Sequence, residues 1–154
     1  MANISNQRML DILINLKDKA IEVAAINSVT LATNEYVANM KNRVFKDGKN
    51  TNNEKIGDYK KGRYRNKRAE KGRQVEYVDL KNEGSLQFSI QSDENKVGYT
   101  SAKEAKKGGG LQFGNKNIKG YGIVFQPSQS EKEKHTENTS AYYTNELKKL
   151  ANDK

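Results

Sequence analysis

Thirteen lysines and arginines fall between Lys41 and Arg73, against four acids in the same stretch. The stretch carries a net charge of +9, the net charge of the whole 154-residue chain, so everything outside it is neutral. Residues 48–73 have no apolar period. Gly, Asn, Lys and Arg dominate, with Ile56, Tyr59 and Tyr64 as isolated anchors. Such a segment cannot form a core element, so the core must be built from what flanks it. A neutral body carrying one basic arm suggests a surface made to meet something negative: nucleic acid, an acidic protein ring or an anionic membrane.

Upstream of the arm, residues from about Ser5 to Lys46 read as helix. Ser5 is placed as N-cap and Gly48 as the stop. Met9, Leu13, Leu16, Ala20 and Ala24 share one face, and Val29, Tyr36, Met40 and Val44 share another. At about 100° per residue these faces point to nearly opposite sides. Either the helix breaks near Asn27-Ser28, the favoured reading because Asn, Ser and Thr compete for helical hydrogen bonds, or one long helix is covered on both sides.

Downstream, strands are expected at Val75–Leu80, over Leu86, Phe88 and Ile90 with their alternating polar neighbours, at Val97–Thr100, and at Tyr121–Phe125 ahead of Pro127. Glu83-Gly84-Ser85 reads as a turn and Lys103–Gly110 as a solvated loop. Ser128 and Glu131 form a capping box that opens a C-terminal helix, with a restart expected near Thr139 and a thin stripe of Tyr143, Leu147 and Leu150. The expected fold class is α+β: an N-terminal helix or helix pair and a C-terminal helix packed on a small antiparallel sheet, with a long basic loop. Residues 1–154 form one domain, divided into helical (1–47), basic-loop (48–74), sheet (75–126) and helical (127–154) regions. The low hydrophobic content, 34 %, implies that part of the chain is extended or orders only on assembly.

Few residues suggest chemistry. The chain has no cysteine, which removes disulfides, thiolate metal sites and thiol nucleophiles. Its one histidine, His135, lies in a run of Glu, Lys and Thr and reads as a solvated helix residue. No nucleophile elbow, zinc-binding helix, calcium loop or phosphate loop is present, and Gly108-Gly109-Gly110 and the Gly120/Gly122 pair read as turn glycines. The paired carboxylates Glu54/Asp58 and Asp93/Glu94 sit in polar loops and read as solvated charge. No catalysis, cofactor or metal is expected. Apolar runs are too short to span a bilayer and the first residues lack a signal-peptide layout, so a soluble intracellular protein with no membrane partner is expected.

The arm is the candidate binding surface. Lys60, Lys61, Arg63, Tyr64, Arg65, Lys67, Arg68, Lys71 and Arg73 are the candidate contacts, and Ile56 and Tyr59 anchor the loop. Cations interleaved with an aromatic suit phosphates and a stacked base, so a soluble nucleic-acid-binding protein is one reading.

A second reading comes from several short strings in order: Lys41-Asn42-Arg43-Val44-Phe45, Asp47-Gly48-Lys49, Lys55-Ile56-Gly57 followed by Tyr59, Gly72-Arg73, Tyr77-Val78-Asp79-Leu80, Gly84-Ser85-Leu86, and Gly122-Ile123-Val124-Phe125 leading to Ser128 and Glu131. Over about residues 36–131 this set resembles the virion morphogenesis proteins of tailed phages, the tail-completion or head–tail joining proteins of the neck. Glu83 stands where that pattern usually has Thr, and Pro127 precedes Ser128 where Leu is common. The resemblance implies a non-enzymatic structural subunit, an α+β module that forms a homo-oligomeric ring between portal and tail tube. Its implied partners are itself, the portal or head–tail adaptor, and tail-tube or terminator proteins, with possible contact to genomic DNA. Its implied location is the virion neck, assembled in the host cytoplasm.

Overall fold

A computed structural model describes residues 6–80, 84–93, 96–114 and 120–152. The expected N-cap Ser5, Glu83 of the expected turn and Glu94 of the second carboxylate pair lie outside them.

Helix α1 runs unbroken over Asn6–Lys41 and widens into one π-helical turn, Asn42–Lys46. The expected break near Asn27-Ser28 is absent because the competing hydroxyls are satisfied inside the helix. Ser28 Oγ donates to the Ala24 carbonyl at 2.6 Å, Thr30 to Ile26 at 2.9 Å and Thr33 to Val29 at 2.8 Å. The π turn buries three consecutive side chains, Arg43, Val44 and Phe45. Gly48 ends it with φ +64°, and a Cβ there would lie 2.4 Å from the Tyr77 ring and 2.7 Å from the Val78 carbonyl, so only glycine fits.

The remaining elements are short until the last. They are α2 (Arg63–Glu70), α3 (Ser85–Ser89), β1 (Ile90–Asp93), β2 (Lys96–Tyr99), α4 (Ala102–Phe113) and α5 (Gln129–Asn152). β1 and β2 form a two-stranded antiparallel sheet, with Ile90 opposite Tyr99 and Ser92 opposite Val97. α1 packs on this sheet and α5 packs along α1, giving the expected α+β class. The two helices run antiparallel: Arg43 meets Glu131, Thr33 meets His135, and Glu35 meets Asn138 and Tyr142. The core gathers where the end of α1 meets the sheet: Val37, Met40, Val44, Phe45, Leu86, Ile90 and Val124, with Ile56, Tyr99 and Phe125 packed against it.

Several expected elements differ from what forms. The basic loop 48–73 contains a helix, α2. Val75–Leu80 makes no strand, because its chain wraps around Gln74. The Gln74 carboxamide oxygen accepts from the Glu76 and Tyr77 N–H groups at 3.0 and 3.3 Å, and its nitrogen donates to the Tyr77 carbonyl at 2.6 Å. Residues 85–89 are helical and only Ile90 and Gln91 of that expected strand are extended. Residues 102–113, glycine triplet included, form α4, capped by Ser101, whose hydroxyl accepts from the Glu104 N–H at 3.3 Å.

Tyr121–Phe125, the last expected strand, forms none: Gly122 takes φ +77° and the chain bends at Ile123 and Phe125. Tyr121 and Gly122 donate to the Leu111 and Gln112 carbonyls at the end of α4. Val124 and Phe125 both donate to the Gln112 side-chain oxygen at 3.2 Å. The Ser128/Glu131 capping box forms as expected: Ser128 N–H donates to Glu131 Oε2 at 2.8 Å and Glu131 N–H to Ser128 Oγ at 3.2 Å. α5 then continues through Thr139 without a restart, Thr139 Oγ1 bonding back to the His135 carbonyl at 2.8 Å.

Candidate partner-binding surface

Two buried ion pairs organise the basic arm and its root. At the root, Arg43 sits in the π turn with all three guanidinium nitrogens engaged. Nε donates to Glu131 Oε1 at 2.9 Å, one terminal nitrogen to the Lys49 and Val124 carbonyls at 3.2 Å each, and the other to the Gln126 carbonyl at 2.8 Å. Glu131 divides its two oxygens between this arginine and the cap of α5. A single side chain thus ties α1, the start of the arm and the approach to α5 together.

Within the arm the second pair is Arg68 with Asp79. Both Asp79 oxygens accept from one guanidinium nitrogen at 3.0 Å, and Arg68 Nε donates to the Gln74 carbonyl at 3.2 Å. Tyr59 closes the node. Its hydroxyl donates to Asp79 Oδ1 at 2.9 Å and its ring lies 4.5 Å below the Arg68 guanidinium carbon. Burial, and then the bond to Asp79, push the Tyr59 hydroxyl well above its ordinary pKa. Tyr64 packs on Tyr59 with ring centroids 5.7 Å apart while leaving over half of its surface open.

The chain therefore folds back on itself. It leaves the body at Gly48, returns a first anchor through Ile56, whose N–H bonds the Gly48 carbonyl at 2.8 Å, turns through α2, and re-enters at Val78, whose N–H bonds the Gly57 carbonyl at 2.7 Å. Ile56 packs against the core and Tyr59 bonds Asp79. Of the candidate contacts, Lys60, Lys61, Arg63, Tyr64, Lys67 and Lys71 are exposed, Arg65 and Arg73 are half-buried, and Arg68 is 3 % exposed. Arg68 is thus an internal strut rather than a contact. Arg63 and Lys67, one helical turn apart, share the outer face of α2, with Lys60, Lys61 and Lys71 at its two ends.

Sequence reasoning missed Asp79 and Arg43 as organising residues. An acid between Val78 and Leu80, in a run otherwise fit for burial and next to thirteen cations, is the signature that marks Asp79. Arg43 carries no such mark. His135 is half-buried rather than solvated, its Nε2 3.3 Å from Thr33 Oγ1 and its ring edge-on to Tyr36. Glu54 and Asp58 are exposed, as expected of solvated charges.

Among the described residues, no cluster of three His, Asp or Glu side chains is placed to hold a metal ion, and no helix is long and apolar enough to cross a membrane. No protein family, curated protein or solved structure matches the chain.

Proposed function

We propose that this protein is a non-catalytic structural subunit of a tailed-phage neck, a tail-completion or head–tail joining protein that forms a ring between portal or adaptor and tail tube and meets its acidic neighbour through the basic arm. The observation that carries the reading is the pinned arm. Lys60, Lys61, Arg63, Lys67 and Lys71 stand exposed on a segment held in one shape by the Arg68–Asp79–Tyr59 node. A surface ordered before it meets its partner avoids the entropy of ordering on contact, as suits an assembly joint. The resemblance of the ordered strings supplies the assembly; the arm supplies the place of contact.

Exposed Tyr64 beside Arg63 favours one other reading, nucleic-acid binding with a base stacked on the ring. The two separate in an immunoblot of gradient-purified virions against soluble lysate. Enrichment in particles at a few copies each is expected, and the five exposed cations replaced by serine should lower the yield of joined particles by about tenfold or more without changing thermal stability. Absence from particles, with duplex binding that weakens by about 0.9 log units per decade of salt for each phosphate neutralised, would move the function to nucleic acid.

A further inference from the structure

Among the described residues, helix α1 is longer than anything that covers it. α5 has 24 residues against the 36 of α1, and running antiparallel from Glu131 it ends beside the middle of its neighbour. Burial on α1 begins at Ala20, and every residue from Arg8 to Lys19 is exposed. This overhang of roughly 18 Å is half apolar. It carries Met9, Leu10, Ile12, Leu13, Ile14 and Leu16.

The exposed apolar residues are ordered. Met9, Ile12, Leu16, Val23 and Ile26 follow the three-and-four spacing of a heptad seam, interrupted only by Lys19, and each is 45–59 % exposed. The seam lies on the side of α1 away from Ala24, Ser28 and Ala32, the buried line of the same stretch. A seam of this spacing is the pattern that another helix covers.

We infer that the free chain pairs with a second copy of itself through this seam, the two α1 helices lying antiparallel. The seam runs through Met9, Ile12 and Leu16 on the overhang and Val23 and Ile26 on the outward side of the stretch beyond it, so an antiparallel partner covers both parts of the seam at once and the contact is self-complementary. Met9 then faces the partner copy's Ile26, Ile12 its Val23, and Leu16 its Lys19. Lys19 decides the direction. In a parallel pair the two Lys19 ammonium groups would meet in the seam, whereas antiparallel each stem lies on a leucine and its head reaches solvent. The area suffices: Met9, Ile12, Leu13, Leu16, Val23 and Ile26 offer on the order of 600 Å² of exposed apolar surface per copy, and flanking groups bring this near the ~800 Å² per partner of a stable interface.

The inference does not rest on the neck reading; in an assembled ring, neighbouring subunits would cover the seam in place of this partner. The test is sedimentation of the full chain at about 100 μM. The expected mass is twice 17.4 kDa. Leu16→Glu with Val23→Glu should weaken association by about 100-fold at unchanged helical circular dichroism, and Lys19→Leu should tighten it about tenfold. Because the chain has no cysteine, Ile12→Cys and Val23→Cys copies, mixed and oxidised, should cross-link to each other in preference to Ile12→Cys with itself. A monomer throughout the range, a dimer indifferent to the double variant, or preferred Ile12→Cys self-cross-linking would overturn the pair. A ring-sized species would also overturn it and leave the neck reading standing. Conversely, a pair absent from virions leaves this inference intact and removes the neck.

Discussion

Arg43 illustrates how much one buried cation can organise. Its guanidinium meets one carboxylate and three carbonyls, so removing it strips the buried Glu131 carboxylate and the Lys49 and Val124 carbonyls of this donor, while the Gln126 carbonyl keeps Thr51 Oγ1. Arg43→Met should lower unfolding free energy by about 3–5 kcal/mol, read from urea titration, because Glu131 is left buried and uncompensated. Lys67→Ser, on exposed surface, should stay within about 0.5 kcal/mol. Tyr36 offers a test with a direction. Burial, reinforced by the charge of Glu131 and opposed by that of Arg43, raises its pKa from 10.0 to about 12. The folded state then holds this proton more tightly than the unfolded chain does. Stability is unaffected below pH 10 and falls as pH rises from 10 toward 12. Tyr36→Phe loses only a 3.4 Å bond to Met40 sulfur, so its melting temperature should match the parent at pH 8 and decline less between pH 10 and 12. An equal decline would assign the alkaline loss to other groups.

At the level of elements, what was legible depended on whether local pattern and tertiary packing agreed. The long helix, its glycine stop, the capping box of α5 and β2 were all readable because each rests on neighbours in sequence. The Leu86–Ile90 segment was not. Leu86 and Ile90 are buried while Phe88 is 72 % exposed, and a spacing of four fits a helical turn as well as an alternating strand. α4 was hidden by its glycine triplet, which disfavours helix by up to about 1 kcal/mol per residue. The packing explains one of those glycines. A Cβ on Gly108 would sit 2.3 Å from the Tyr99 hydroxyl and 2.7 Å from the ring carbon bearing it, so the helix approaches β2 only because the residue is bare. Gly109 has open space around it. The two alanine substitutions should therefore part in sign. Gly109→Ala gains up to about 1 kcal/mol, and Gly108→Ala loses about 1–3 kcal/mol, since a ring cannot yield as a flexible chain end would. Paired melts of the variants decide it, and a stabilising Gly108→Ala would mean that α4 does not pack this closely on Tyr99.

On the scale of the whole molecule, charge and shape are separable, and the arm lets them be weighed against each other. The sequence made the charge plain, but it did not reveal that the arm is pinned, because the pin joins Tyr59, Arg68 and Asp79 across 20 residues and only Tyr59 of the three was read as an anchor. Asp79→Asn keeps the size of that side chain and an oxygen for Tyr59, removes the negative charge beside Arg68, and makes the chain more positive by one. If attraction alone governed binding, an acidic partner or a polyanion should hold the variant more tightly. If the pinned shape governs it, binding should weaken although the charge has grown, because the arm must now be ordered at the moment of contact. We expect weakening of about fivefold to 30-fold, the effect of one or two kcal/mol, in heparin retention and in partner binding. Hydrogen exchange tells whether the change stays local: residues 59–73 should lose protection while the core turn of α1 around Met40 and Val44 keeps it. Tighter retention with the same local loosening would make the arm a tether of charge, and its fold would then serve only to keep thirteen cations from disturbing the neutral body beneath.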